Sequence, residues 1–214
     1  MKIAMMNEFS QASKNAIVLA QLKDVVEPMG HTVYNTGMER DGDPHYLTYL
    51  NLGVQAALLL NSGAVDFVIT GCGTGQGAMM ALNAFPGVMC GYCIEPTDAF
   101  LFLQINNGNA LAIPYAKGFG WGAELNIHSM FEKAFGSPKG MGYPPDEVHK
   151  TSQNRNAKNL GLLKQATGKP LLEGLKAMDQ EILKKSLTPR FLECFNAGCQ
   201  DAELAAFVKS AAEA

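Results

Sequence analysis

A cysteine set among glycines at the end of an apolar run is the strongest chemical signal in this chain of 214 residues. Gly71-Cys72-Gly73-Thr74-Gly75-Gln76-Gly77 follows Phe67-Val68-Ile69-Thr70, which reads as a strand, and leads into a helical pattern. Backbone N–H groups in such a strand-to-helix turn can face an anion, and the helix start adds partial positive charge. A thiolate at Cys72 is favoured in that setting. A base beside an oxyanion site is a catalytic layout. The other reading is a buried cysteine in a tight turn, and the pattern alone leaves both open. Nucleotide readings fail on spacing: a G-x-G-x-x-G fingerprint begun at Gly71 meets Gln76 at its third glycine, and no Gly-Lys-Ser/Thr follows.

Apolar strand-like runs recur at Lys2–Met6, Thr32–Asn35, Asp66–Gly71, Val88–Ile94 and Ala110–Pro114. Helical patterns at Ser10–Val26, Tyr46–Asn61, Gly75–Phe85, Pro96–Asn106 and Gly120–Phe135 alternate with them. Continuous apolar strands between helices predict a parallel sheet covered on both faces, with ligands at the C-terminal strand ends. That rule gathers Asn7, Glu8, Gly71–Gly77 and Glu95 onto one edge, joined by the loop 37–45. His45, in that loop, is a candidate to relay a proton between oxygens. His31, His128 and His149 read as structural, and Phe119 and Trp121 as core packing.

From Gly136 the character changes. A breaker-rich connection leads to helical patterns at Gln153–Thr167, Leu171–Ser186 and Asp201–Ala212. Residues 1–136 form the α/β core in this reading, and residues 137–214 a linker and helical extension packed on the core or on a partner subunit. Leu160, Leu162, Leu163, Leu171, Leu172 and Leu175 present too much apolar surface to stay exposed.

A net charge of −3 argues against nucleic acid or an anionic membrane as a standing partner. No apolar run approaches a membrane span, and the first ten residues lack a secretory signal pattern. The five cysteines show no metal-knuckle pairing, and Cys90 and Cys93 fall on opposite faces of one strand. A reduced, cytoplasmic protein is expected.

The order of these pieces resembles the ribose-5-phosphate isomerase type B and galactose-6-phosphate isomerase family. The likeness runs through about residues 1–135, on MKIAMMNE, GCGTGQGAMMALNAFPGV and CIEPTDAFLFLQINNGNALAIP. It implies a Rossmann-like three-layer α/β/α sandwich with a five-stranded parallel sheet. It implies aldose–ketose isomerisation through an enediolate without metal or cofactor, on a sugar or sugar-acid substrate. It also implies homodimers or homotetramers with sites at the subunit interface. By the same resemblance Cys72 is the proton-transfer base, and Thr74 with the backbone of Gly73, Gly75 and Gly77 binds the enediolate oxygens. Glu8 and Asn106 occupy substrate-binding positions, and Asn83 matches an asparagine after the glycine loop. Asn109 reads better as a turn residue.

The departures are specific. The family's Asp-His near residue 8 is Glu8-Phe9, its ring-opening histidine is Ile105, and its next Asp is Asn107. Its phosphate-gripping arginines reduce to Lys117 and, in the tail, Arg155. A bidentate arginine clamp is not replaced conservatively. An open-chain substrate with a carboxylate needs neither ring opening nor a full phosphate clamp. The chain is most similar to the 4-deoxy-L-threo-5-hexosulose-uronate ketol-isomerase branch. The alternatives are a ribose 5-phosphate or galactose 6-phosphate isomerase and, from another class, a non-catalytic sugar-acid binding protein.

Overall fold

The computed structural model describes residues 1–213. Five strands, β1 (Lys2–Asn7), β2 (Thr32–Asn35), β3 (Phe67–Cys72), β4 (Cys90–Tyr92) and β5 (Ala110–Pro114), form one sheet in the order β2-β1-β3-β5-β4. Every pairing is parallel. The strands are apolar on both faces because both are covered. Ala4, Met6, Val68, Ala110 and Ala112 point into one core, while Ile3, Met5, Phe67, Ile69, Leu111 and Ile113 point into the other.

Helices α1 (Asn15–Val26), α4 (Pro96–Leu101) and α5 (Ala123–Phe135) cover the second face, and α2 (Tyr49–Asn61) and α3 (Gln76–Asn83) the first. Several boundaries differ from the sequence pattern for local reasons. The segment before α1 is a 3-10 turn, Phe9–Lys14, held by the Glu8 side chain, which accepts from the Ser10 N–H. Helix α2 starts at Tyr49 because Thr48 and Asn51 form a reciprocal capping box. Strand β4 is shorter than Val88–Ile94. The Asn83 side chain bonds the Cys90 backbone at one end, and the Asp98 carboxylate takes the N–H groups of Ile94 and Glu95 at the other. After α4 the chain widens into one π-helical turn, Phe102–Asn106, whose Phe102 ring packs where side chains at Gly91 and Gly108 would stand.

The extension forms α6 (Glu147–Thr167), α7 (Leu171–Ala177), α8 (Gln180–Ser186), α9 (Pro189–Gly198) and α10 (Ala202–Glu213). Leu175, Leu183, Phe191, Phe195, Leu204 and Val208 are buried with Leu52, Leu58 and Leu59 of α2 in the first core. Polar bonds reinforce this docking: the Asn51 amide donates to Ser186 Oγ, and Gln55 Nε2 to the Ser186 carbonyl. The continuous helix expected over Leu171–Ser186 breaks at Asp179, whose carboxylate caps α8. Helix α6 differs from the rest of the tail in having no buried residue. Leu160, Leu162 and Leu163, expected to be covered, stand 46–58% exposed within the single chain. Among the described residues, no helix is long and apolar enough to cross a membrane.

Candidate active site

The sheet order reverses direction between β1 and β3, where Asn7 lies opposite Gly71. A ligand crevice belongs at the C-terminal ends of such a pair, and Cys72 closes β3 there. Its backbone is pinned: the carbonyl accepts from the N–H groups of Gly75 and Tyr115 at 3.3 and 3.0 Å. Its thiol is nearly buried and lies 4.0 Å from the Thr74 hydroxyl. Gly75, left-handed at φ 73°, turns the chain into α3 without a side-chain cap. The first N–H groups of that helix therefore remain available beside the thiol. A Cβ at Gly75 would meet the Tyr92 ring at 2.7 Å and the Pro114 nitrogen at 2.9 Å. Glycine is a requirement of this turn. Gly77 lies against the Tyr49 ring, and the Gly73 carbonyl accepts from Ala116.

A polar chain braces the other side of the loop, and of its members only Glu8 was singled out from the sequence. The buried Glu8 carboxylate accepts from the Ser10 N–H at 3.0 Å and from Ser10 Oγ at 2.5 Å. Gln11 donates to Ser10 Oγ, and Lys14 donates to Gln11 Oε1 and to the Tyr115 carbonyl. The Lys14 ammonium also sits 4.8 Å from the centre of the Phe119 ring. Partial burial pulls its pKa below the ordinary lysine value. A cluster Ser-Gln-x-x-Lys after the end of β1 was the signal available for it. Thr74 is tied in turn to β4: Tyr92 Oη donates to its carbonyl at 3.0 Å, and Lys117 Nζ donates to Tyr92 Oη at 3.4 Å. Lys117 is thus the exposed cation beside the glycine loop.

His45 lies on the same edge. Its N–H donates to the buried Asp43 carboxylate, and its ring lines a cleft of about 380 Å3 with Tyr46, Lys184, Lys185 and Thr188. The extension reaches this loop through Arg190, which donates to the Gly37 carbonyl at 3.2 Å and to Asp43 Oδ2 at 2.7 Å.

Asn106 and Arg155 do not join Cys72 within one chain. Asn106 precedes β5, whereas Cys72 pairs with Pro114 at its far end, about 13 Å along the strand. Asn106 instead faces a groove of about 450 Å3 between Cys90 and the exposed leucines of α6. Arg155 is on α6, next to Asn154, which accepts from Asn107 and donates to the Gly140 carbonyl. Asn83 and Asn109 are structural, bonding the Cys90 backbone and the 87–89 turn. His31, His128 and His149 bond the Met1 nitrogen, Gln21 and Asp146 respectively. Cys90 and Cys93 do lie on opposite faces, and burial pushes both thiols up to about 12. Phe119 packs edge-on against Tyr115, but Trp121 is a correction: it stands fully in solvent among open glycines. Among the described residues, no three His, Cys, Asp or Glu side chains gather as a metal-ligand set.

Comparison with known proteins gives the family and the fold. A family profile described as Ribose-5-phosphate isomerase matches residues 166–211. The Escherichia coli ribose-5-phosphate isomerase B is 42% identical over 74 residues, a stretch that spans 35% of this chain and 46% of that protein. A solved ribose-5-phosphate isomerase from Vibrio parahaemolyticus is 54% identical with a TM-score of 0.95, covering 99% of each chain. A 4-deoxy-L-threo-5-hexosulose-uronate ketol-isomerase, solved with a tartrate, is 50% identical with a TM-score of 0.95 over the whole of both chains. A profile described as Ribose/Galactose Isomerase matches residues 3–135, which take in the switch-point cysteine and its glycine loop, and on that match the chain belongs to the ribose/galactose isomerase family.

Proposed function

We propose that this protein is a cofactor-independent aldose–ketose isomerase acting on an open-chain 4-deoxy-5-keto-uronate. The observation that carries the reading is the Cys72 thiol at the switch point, beside Thr74 and the uncapped start of α3. Cys72 removes the proton from C2 of the aldehyde form. Negative charge develops on the C1 and C2 oxygens of the enediolate, where Thr74 and the loop N–H groups stabilise it. Return of a proton to C1 and its transfer between the two oxygens give the ketose, with no net change in atoms or electrons. Lys117 is the cation placed to hold the carboxylate in the same chain.

Two features support the keto-uronate over a cyclic sugar phosphate. Ile105 cannot transfer a proton to open a ring, and the Arg190 guanidinium that reaches the Cys72 edge is committed to Asp43. The full-length likeness to the hexosulose-uronate isomerase points the same way. The Vibrio relative supports the alternative, a ribose 5-phosphate isomerase.

The working unit in this proposal is a homodimer or homotetramer. No residue of helix α6 is buried in its own chain, and Asn106 and the Arg155 segment, tied to Asn107 through Asn154, lie before β5 rather than at its Cys72 end. A second copy laid on that edge covers the α6 leucines and presents Asn106 and Arg155 to the partner's substrate.

The test is kcat/KM for the 4-deoxy-5-keto-uronate and for ribose 5-phosphate on one preparation. The keto-uronate is expected to lead by about 100-fold or more, the scale of a missing acid–base step. Cys72→Ala should keep the fold and lose at least about 100-fold. Comparable rates on the two substrates return the chain to the pentose-phosphate reading, and near-normal turnover by the variant removes Cys72 as the base.

A further inference from the structure

Phe9 and Tyr46 carry exposed aromatic rings on segments whose neighbouring residues reach the glycine loop. Phe9 leaves β1 directly after Glu8, donates its N–H to the Leu47 carbonyl at 2.9 Å, and stacks on Tyr46 at 4.8 Å between centroids. Both rings remain in water, Phe9 43% and Tyr46 54% exposed. Their neighbours touch the catalytic loop. Ser10 Oγ lies 4.0 Å from where a Cβ on Gly73 would stand, and the Tyr49 ring lies 3.4 Å from the same point on Gly77. An exposed stacked pair on segments that adjoin the glycine loop is apolar surface awaiting a contact.

We infer that the Phe9–Tyr46 pair is the wall against which the middle of the substrate chain lies, selecting a methylene over a carbinol carbon at C4. This rests on the function proposed above and names what sets its specificity. The substrate's name states the relevant chemistry: an aldehyde end that reacts, a carboxylate end, and between them a carbon without its hydroxyl. With C1 and C2 at Cys72, C4 lies a few ångströms farther out. A methylene against the Phe9 face loses no hydrogen bond on leaving water. A 4-hydroxyl there is stripped of water and meets a ring without donor or acceptor. The Phe9 ring gives such a hydroxyl no hydrogen-bond partner, whereas an imidazole at the same position would.

The experiment compares the 4-deoxy-keto-uronate with the same keto-uronate carrying a hydroxyl on C4, on the wild type, Phe9→His and Tyr46→Ser. The wild type is expected to favour the deoxy substrate by about 10- to 100-fold in kcat/KM, the range an apolar pocket achieves against an added hydroxyl. Each variant should bring the ratio below about threefold while its melting temperature stays unchanged, because both rings are exposed. A ratio unchanged in the variants, or equal losses on both sugars, overturns the assignment. Saturation-transfer NMR with the C1-alcohol analogue, which has no aldehyde to isomerise, separates this inference from the function. Transfer strongest at the C4 protons, and lost in Phe9→His, upholds the wall even if the wild type turns over neither sugar. Even transfer along the analogue, or the same pattern in the variant, refutes it.

Discussion

Replacing Arg190 with alanine tests how the extension is locked onto the Cys72 edge of the sheet. Its guanidinium lies 2.7 Å from Asp43 and 3.7 Å from Glu39, and the Asp43 side chain is only 3% exposed. Removing one partner of a buried ion pair costs about 3–5 kcal/mol, because the other charge is left without compensation. Asp43 keeps two backbone donors, the N–H groups of Glu39 and His45, so the lower end, about 3 kcal/mol, is expected. For a chain of this size that lowers the melting temperature by about 6–12 °C. The loss also carries a pH signature. Burial raises the Asp43 pKa, but the two N–H groups and Arg190 outweigh it and hold the carboxyl below its usual value. A depressed folded pKa stabilises above the unfolded value, about 3.9, and that stability is lost as pH falls through the folded value. The gap between wild type and Arg190→Ala should therefore be full at neutral pH and narrow below about pH 4. Melting scans at fixed protein concentration from pH 3 to 8 measure both effects. A neutral-pH drop under about 2 °C, or a gap that persists in acid, refutes the account.

Two further outcomes follow from the same geometry. Gly75→Ala forces a left-handed residue into contact with the Tyr92 ring and the Pro114 nitrogen, costing about 2 kcal/mol or more; urea unfolding measures the loss, and an unchanged midpoint would mean the loop relaxes freely. Truncation after Gly136 uncovers the α2 face that Leu175, Leu183, Phe191 and Phe195 bury; light scattering should show aggregation, and a soluble monodisperse fragment would show that face to be self-sufficient.

The strands were legible because parallel strands buried on both faces read as unbroken apolar runs, and all five fall within a few residues of those runs. The glycine loop was legible because a left-handed turn at Gly75 admits little else. What stayed hidden depends on side chains reaching back to the backbone. The ends of β4 are set by Asn83 and Asp98, and the turn after β1 by Glu8 and Ser10. Helix α9 carried a start signal that went unread, a Thr188 cap followed by Pro189. The distance between Asn106 and Cys72 could not be read from motif order, because adjacency in a motif list says nothing about which edge of a sheet a turn occupies. Trp121 misled because size suggests burial, whereas Gly118, Gly120 and Gly122 around it leave open space.

That loop has a spectroscopic consequence. Trp121 is the chain's single tryptophan, and its indole already stands in water. Denaturant cannot move it into a more polar environment, so its emission colour should hardly change across a melt that circular dichroism records in full. The same indole sits four residues beyond Lys117, on the segment leaving β5 at the edge where Cys72 ends β3. Its fluorescence is therefore blind to unfolding and sensitive to arrival: a blue shift in this chain signals something settling against the mouth of the site.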